Sequence, residues 1–421
     1  MKALLVEVVK SIDDNRTKEF IELAKAAGHE IVGILQQLRC TPDPAYYLGK
    51  GKVKELVEMV EALKPDKIIF NKELRPNQAI NLENLTKKEV VDRIQLILEI
   101  FTKRAGTKEA KLQIELAQLR YLLPKLKMYV KYAKREEFPG FHGPGYYQTA
   151  KYERMIRKRI AKIERELEKI RYEREERRKI RRELGFSLVA LAGYSNAGKS
   201  TLLNRLTKSN VPVDDKLFTT LGTYTRFAQF NGRKVLLSDT IGFIEDLPHL
   251  VIEAFKSTLE EITLADLIIL VVDASEPIQE IIRKINTANK VLEEVSAAEK
   301  PIITALNKID RLSSKEIKEI LSKIEGYTPN PIPISALYGY NLDKLCTKAE
   351  QLLPKCIQIR ARLPLKPDTN FLVSHIYNRG NVKYIIYSNN KVEVKFEVLP
   401  QSSEYFRRII ENAGGTIEII H

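Results

Sequence analysis

Four short stretches carry residue types whose spacing could do nucleotide chemistry. Gly193-Tyr194-Ser195-Asn196-Ala197-Gly198-Lys199-Ser200 has the spacing of a phosphate-binding loop, with Thr201 next. It lies between an apolar strand, Leu188–Ala192, and a helical start, Ser200–Leu206. In that setting small residues let successive backbone N–H groups face phosphate oxygens at the positive end of a helix. Lys199 is placed to reach the β- and γ-phosphates, and the Ser200 hydroxyl to ligate Mg2+. Downstream, Asp239-Thr240-Ile241-Gly242 follows the strand Lys234–Leu237. Asp239 would hold the metal through water, and the Gly242 N–H would sense the γ-phosphate. Between these, Phe218-Thr219-Thr220-Leu221-Gly222 lies where a switch threonine is needed as a further metal ligand.

The fourth stretch selects the base. Asn307-Lys308-Ile309-Asp310 follows the strand Pro301–Leu306. Asp310 can accept hydrogen bonds from both the N1–H and the exocyclic amine of guanine. Adenine lacks that donor pair and would leave the carboxylate unpaired. Asn307 is expected to brace neighbouring loops, and the Lys308 stem to cover the base plane. Ser335-Ala336-Leu337, after Pro331–Ile334, is a further contact to the guanine oxygen. Together the motifs predict a GTPase. In many GTPases a glutamine directly after Asp-x-x-Gly positions the attacking water, but here Phe243 stands there. Phenylalanine can neither orient nor polarise water. Either another residue or a potassium ion substitutes, or intrinsic hydrolysis is slow and a docked partner accelerates it. The catalytic residue is not readable from the sequence.

The elements that must position these residues divide the chain into four expected segments. Residues 1–105 alternate short strands (Leu4–Val9, Ile31–Leu35, Lys67–Phe70) with helical patterns near Lys18–Ala27, Lys52–Leu63 and Asn77–Leu85. That order predicts an N-terminal α/β domain with a largely parallel sheet. Over 106–184, Leu112, Leu116, Leu119, Leu123 and Leu126, then Ile156, Ile160, Ile163, Leu167 and Ile170, repeat at 4, 3, 4, 3. Two such seams flanking the breaker Phe138–Tyr147 predict a long antiparallel helical hairpin with its tip at about 134–147. Pro124 is expected to kink or end the first arm. Residues 185–355 read as a Ras-like phosphate-loop domain. Residues 356–421 read as a small α+β domain, with paired strands Val382–Tyr387 and Val392–Val398, a helix near Ser403–Asn412 and a last strand Thr416–Ile420.

Composition narrows the class. Of 421 residues, 44% are apolar and 30% charged, as in soluble globular proteins, while 70 Lys+Arg against 55 Asp+Glu leave a charge of +15. Such an excess favours a polyanionic partner, nucleic acid or an acidic membrane surface, over a solvated lysine-rich exterior. Apolar runs such as Leu267–Val272 are too short to span a bilayer. The scattered Cys40, Cys346 and Cys356 suit reduced thiols, and the strand-like first residues make a poor signal peptide, so a cytoplasmic location is expected. A hairpin closing on itself fits a monomer. Within Lys151–Glu183, fifteen Lys/Arg stand against eight Asp/Glu. Beside the tip, cations including Arg135 lead into Phe138, Phe141, His142, Tyr146 and Tyr147. That mixture suits unpaired RNA bases and phosphates, with packing onto a neighbouring domain as the alternative.

The sequence also resembles the HflX family of ribosome-associated GTPases, over nearly its whole length. The resemblance rests on Leu48–Leu56, Val91-Asp92-Arg93 with Phe101–Ala105, Glu109–Leu119, Gly143-Pro144-Gly145, Phe218–Leu221 and Asp239–Ile244. It implies GTP hydrolysis on the large ribosomal subunit, a role in splitting or rescuing stalled ribosomes under stress, and ribosomal RNA at the hairpin tip. It also favours Thr220 over Thr219 as the metal ligand. Two positions depart from the family pattern: Tyr146-Tyr147-Gln148 stands where many bacterial members have Glu-Thr-Gln, and Gly222 replaces a common Asp. The residues leave open an assembly factor checking immature subunits, or a signalling GTPase with a protein effector. Gly49-Lys50-Gly51-Lys52, in a domain through which some family members are reported to bind ATP, lacks a full phosphate-loop spacing and reads as a glycine turn opening a helix.

Overall fold

The computed structural model describes the chain except residues 10–13, 137–143, 184–185, 208–223, 241, 244–259, 389 and 421. For 14–16, 127, 129–136, 144–150, 177–183, 224 and 378 only the backbone is described.

The first sheet is built from β1 (Lys2–Val9), β2 (Glu30–Leu38), β3 (Lys67–Phe70) and β4 (Glu89–Val91), in the order β2-β1-β3-β4 with every pairing parallel. Helices α1 (Asp14–Ala26), α2 (Lys50–Leu63), α3 (Pro76–Thr86) and α4 (Arg93–Arg104) connect or follow the strands. In β1 the run Ala3-Leu4-Leu5-Val6 is wholly buried, as a strand covered on both faces must be. The expected parallel α/β domain is what forms. At the start of α4 the Asp92 carboxylate accepts the Gln95 N–H at 3.0 Å, capping the helix.

Next come two long helices, α5 (Lys108–Glu136) and α6 (Pro144–Glu183). Leu112 and Leu116 of one seam and Ile163 of the other are buried. Ion pairs Lys108–Glu166 (3.4 Å) and Arg159–Glu115 (2.6 Å) run in opposite chain senses, as an antiparallel pair requires. Of the two outcomes expected at Pro124, the helix does not end there: α5 runs through it, and Pro124 lies on the exposed side, where its ring meets solvent. One expectation needs correction: the helix break does not reach Tyr147. Proline suits the first turn of a helix, where its missing N–H would go unused, so α6 starts at Pro144 and takes in Tyr146 and Tyr147.

The second sheet contains β5 (Ser187–Gly193), β6 (Tyr224–Phe230), β7 (Arg233–Asp239), β8 (Leu267–Asp273), β9 (Ile302–Asn307) and β10 (Pro331–Pro333), ordered β10-β9-β8-β5-β7-β6. All neighbours are parallel except the β6–β7 pair. Val189, Leu191, Val235, Leu237, Ile269, Val271, Ile303 and Ala305 form its buried centre, so the carboxyl ends of β5, β7, β8 and β9 are held side by side.

A third, antiparallel sheet follows: β11 (Ile357–Pro364), β12 (Asn381–Ser388), β13 (Lys391–Val398) and β14 (Thr416–Ile420), ordered β12-β13-β11-β14. Helices Thr369–Arg379 and Ser403–Asn412 pack on one face through Val373, Ile376, Phe406 and Ile410. The result is the split βαβ topology of ferredoxin-like domains. The sequence expectation lacked β11 and the helix Thr369–Arg379. The signal was present, since buried Ile359, Ala361 and Leu363 alternate with Gln358, Arg360 and Arg362.

Candidate functional site

The phosphate loop joins the end of β5 to the helix α7 (Lys199–Thr207). Its glycines are required by position. Gly193 has φ +138° and a β-carbon there would strike the Val271 carbonyl oxygen, while Gly198 has φ +97° and would strike the Asn307 amide. Asn196 takes φ +64°, a left-handed conformation that Asn tolerates. Tyr194 is buried, with the Lys284 ammonium 5.3 Å from its ring centre, and Lys284 pairs with Glu276 at 2.5 Å. A cavity behind the loop is lined by Tyr194, Ser195, Val271, Asp273, Glu276 and Lys284.

Lys199 is buried and donates to the carbonyls of Gly193 (2.9 Å) and Tyr194 (2.7 Å). Burial pushes its ammonium down to about 8, with the Asp239 carboxylate working the other way. A phosphate at the loop would supply the negative charge that this cation is short of. Ser200 Oγ donates to Asp239 Oδ2 at 3.0 Å, so a hydroxyl and a carboxylate already share one end of the loop. Thr240 is anchored by its hydroxyl to the Leu191 carbonyl at 2.7 Å. Gly242 lies against the loop, and a β-carbon there would be 2.8 Å from Ser195 Cα. Phe243 is buried. Its N–H donates to Gly193 O (3.0 Å) and its carbonyl accepts the Ser195 N–H (3.1 Å). The side chain at the usual glutamine position is thus buried in packed protein, and its backbone ties the segment after β7 to the phosphate loop.

The end of the site expected to read the base is braced by Asn307. Its Nδ2 donates to Ala197 O at 2.8 Å and its Oδ1 accepts the Ala336 N–H at 2.9 Å, linking the phosphate loop to the Ser335–Leu337 turn. Lys308 has φ +67° and its ammonium lies 2.6 Å from Asp273 Oδ2. Burial works against the Asp273 charge, but hydrogen bonds from Lys308 and Ser275 outweigh it and hold the carboxyl below the usual range. Ile309 is buried under the turn, while Asp310 is exposed and accepts the Ser335 hydroxyl at 2.5 Å. Leu337 is 62% exposed. Thr201 follows Ser200 in the first turn of α7.

Phe218, Thr219, Thr220, Leu221, Gly222 and Ile241 lie outside the described residues, as do Phe138, Phe141 and His142; Arg135, Tyr146 and Tyr147 are placed by backbone alone. Sequence reasoning missed Asp273, Glu276 and Lys284. The available signal was an acid directly after the apolar run Leu267–Val272, at the carboxyl end of a parallel strand, where ligands collect in open α/β sheets.

Three family models match in chain order. "GTP-binding GTPase N-terminal" covers residues 14–102, "GTP-binding GTPase Middle Region" 104–181, and "50S ribosome-binding GTPase" 188–308. The GTPase HflX of Methanocaldococcus jannaschii is 38% identical over 93% of this chain and 95% of its own length. The chain belongs to the HflX family of GTPases. The HflX of Thermococcus kodakarensis is 50% identical over 72% of this chain and 68% of its own, and that of Escherichia coli is 38% identical over 89% and 88%. Among solved structures, a complex of SsGBP with GDP is 31% identical, covering 84% of this chain and 98% of that one, with a TM-score of 0.46. Like its relatives, this HflX-family chain is a GTPase: it binds GTP and hydrolyses it to GDP and phosphate. Among the described residues, no helix is long and apolar enough to cross a membrane.

Proposed function

We propose that the GTP-bound chain associates with the large ribosomal subunit and acts in translation, splitting or rescuing ribosomes under stress. The observation that carries this reading is a guanine-reading site in one chain with α6, whose residues 151–183 hold fifteen Lys/Arg against eight Asp/Glu. A surplus of cations on a long helix suits a phosphate backbone. The printed description of the family model at 188–308, a 50S ribosome-binding GTPase, supports the choice of the large subunit.

In this reading the four segments 1–105, 106–184, 185–355 and 356–421 are the working domains, and the 185–355 segment carries the switch. Lys199 leaves the carbonyls of Gly193 and Tyr194 for the β- and γ-phosphates, which the N–H groups of the loop also bind. Ser200 Oγ and Asp239 Oδ2, 3.0 Å apart, are hard oxygen donors that suit Mg2+. Ser200 and Thr220 would hold the ion, with Asp239 acting through water; bound there, it neutralises charge on the phosphate oxygens. Gly242 donates its N–H to the γ-phosphate, and Asp310 accepts the two guanine donors. Phe218, Thr219, Leu221 and Gly222 complete the first switch. Phe243 is buried and cannot position water, so intrinsic hydrolysis is slow and the ribosome supplies or orients what is missing. The hairpin tip, with Arg135, Phe138, Phe141, His142, Tyr146 and Tyr147, contacts ribosomal RNA. The chain works in the cytoplasm as a monomer.

Sedimentation through sucrose gradients with purified ribosomes tests this. With a non-hydrolysable GTP analogue the chain should travel with large subunits, and with GDP it should remain at the top. Single-turnover hydrolysis should quicken when ribosomes are added. Equal rates and no co-sedimentation would point instead to a signalling GTPase. Binding only to immature subunits, without release of subunits from assembled ribosomes, would point to an assembly factor.

A further inference from the structure

The matched family models end at residue 308, so no assignment reaches the ferredoxin-like domain of β11–β14. That domain presents two surfaces. On its open sheet face, the central strands β11 and β13 carry Gln358, Arg360, Arg362, Glu393, Lys395 and Glu397. Most of these charges satisfy one another: Arg360 and Arg362 pair with Glu393, Arg360 also with Glu418, and Lys383 with Glu397. RNA-binding sheets of this topology stack bases on aromatics from the two central strands, and neither β11 nor β13 offers one on this face.

The aromatics lie on the helical side. Phe371, His375 and Arg379 fall at i, i+4 and i+8 of the helix Thr369–Arg379, and therefore on one stripe. The Phe371 and His375 rings stack at 6.4 Å with 27° between their planes, and His375 continues to Tyr405 at 6.1 Å. Burial and the nearby Arg379 push the imidazole below its ordinary range, and its Nε2 lies within hydrogen-bond distance, 2.6 Å, of the Tyr405 hydroxyl. Arg379 donates to the same phenol oxygen and lies 5.3 Å over the ring. The ladder is thus fixed from below by hydrogen bonds, while Phe371 at its outer end is 78% exposed.

An exposed ring stacked on an anchored imidazole offers an open face, and the surrounding charge decides what suits it. The helix Thr369–Arg379 contains no carboxylate beyond its exposed N-cap Asp368, and its outer positions are Asn370, Phe371, Ser374 and Tyr377. Arg408 lies one turn beyond Tyr405 on the second helix and is exposed, as is Arg407; Glu404 and Glu411 are that helix's acids. At the other end, Lys234 reaches over the Tyr377 ring at 5.0 Å. Cations and hydrogen-bonding side chains along the two helices that carry the ladder match a nucleic-acid strand.

We infer that the Phe371–His375–Tyr405–Arg379 ladder is a stacking platform for an unpaired RNA base, with Arg379 and Arg408 beside its phosphates. The inference deepens the ribosome reading, on which it rests for the choice of RNA. It gives the chain a second RNA contact that is separate in sequence from the hairpin.

The test uses the full chain and a fluorescently labelled, mixed-sequence single-stranded RNA, with a duplex of equal length for comparison. Phe371→Ala should weaken binding to the single strand by about 5- to 100-fold, the loss of one stacked base, and leave duplex binding and intrinsic GTP hydrolysis unchanged. Phe371→Trp should restore the affinity. A photocrosslinking amino acid at position 371, irradiated with purified ribosomes, should give a product that ribonuclease shortens. Unchanged single-strand binding in Phe371→Ala, an equal loss on duplex, or a crosslink to protein would each overturn the platform. If the wild-type chain fails to sediment with large subunits yet Phe371→Ala loses single-strand binding, the ribosome reading falls and the platform stands. Sedimentation intact with single-strand binding unaltered gives the reverse.

Discussion

The backbone of Gly242 lies against Ser195, where a β-carbon would be 2.8 Å from Ser195 Cα and 2.9 Å from its nitrogen. Backbone cannot step aside as a flexible side chain can. Gly242→Ala should therefore push the segment after β7 off the phosphate loop and move the N–H that we propose senses the γ-phosphate. We expect single-turnover hydrolysis to fall roughly 100-fold, with GDP affinity held to within a few-fold. Hydrolysis at the wild-type rate would show that the loop yields. Asp310 stands exposed beside the base site, steadied by Ser335. Replacing it with Asn removes a charged acceptor, which should weaken GTP binding about 10- to 100-fold. The new amide can donate to the 2-carbonyl of xanthine, so competition between GTP and xanthosine triphosphate should swing toward the latter. Both assignments come from motif spacing. The Asp273–Lys308 pair could not, because 35 residues separate partners that meet only when β8 and β9 lie side by side.

Among the elements, α5 is the one whose sequence and structure disagree. A proline within a helix lacks one N–H and crowds the preceding turn, yet α5 continues through Pro124. The burial of Leu112, Leu116 and Ile163 and the Arg159–Glu115 pair add packing that local propensity does not contain. Pro124→Ala should recover up to about 3 kcal/mol of local helix stability, seen as slower amide exchange around residues 118–128. Unaltered exchange would mean that the arm has already absorbed the cost. In the first sheet, Glu99 of α4 accepts from Lys67 (3.0 Å) and shares a proton-bearing contact with His29 (2.9 Å). Burial opposes its charge, but these partners outweigh burial and lower its affinity for a proton. A carboxyl depressed in the folded state stabilises the fold above its ordinary range, and this is lost as pH falls through the depressed value. Glu99→Gln should therefore cost about 1–2 kcal/mol at neutral pH, with the gap from wild type closing toward the acid end. A gap constant with pH in thermal unfolding would remove the electrostatic account.

At the scale of the whole molecule the +15 charge is the property that a partner meets first. If large-subunit binding runs through phosphate contacts, its affinity should drop at least about tenfold between roughly 50 and 200 mM salt. A flat salt profile would argue for apolar or protein contacts. The sequence by itself determined the nucleotide chemistry, the parallel first sheet and the hairpin seams, because each is written in residues close along the chain. A phosphate loop needs eight neighbours, and a seam needs a local period. Only the tertiary structure decided what Lys199 and Ser200 face, that Phe243 is buried, and that Asp273 meets Lys308. It alone also brought His375 and Arg379 against Tyr405, across two strands and a turn of intervening chain. Those contacts depend on strand order and helix docking, and pairings between distant segments leave no periodic trace in a single sequence.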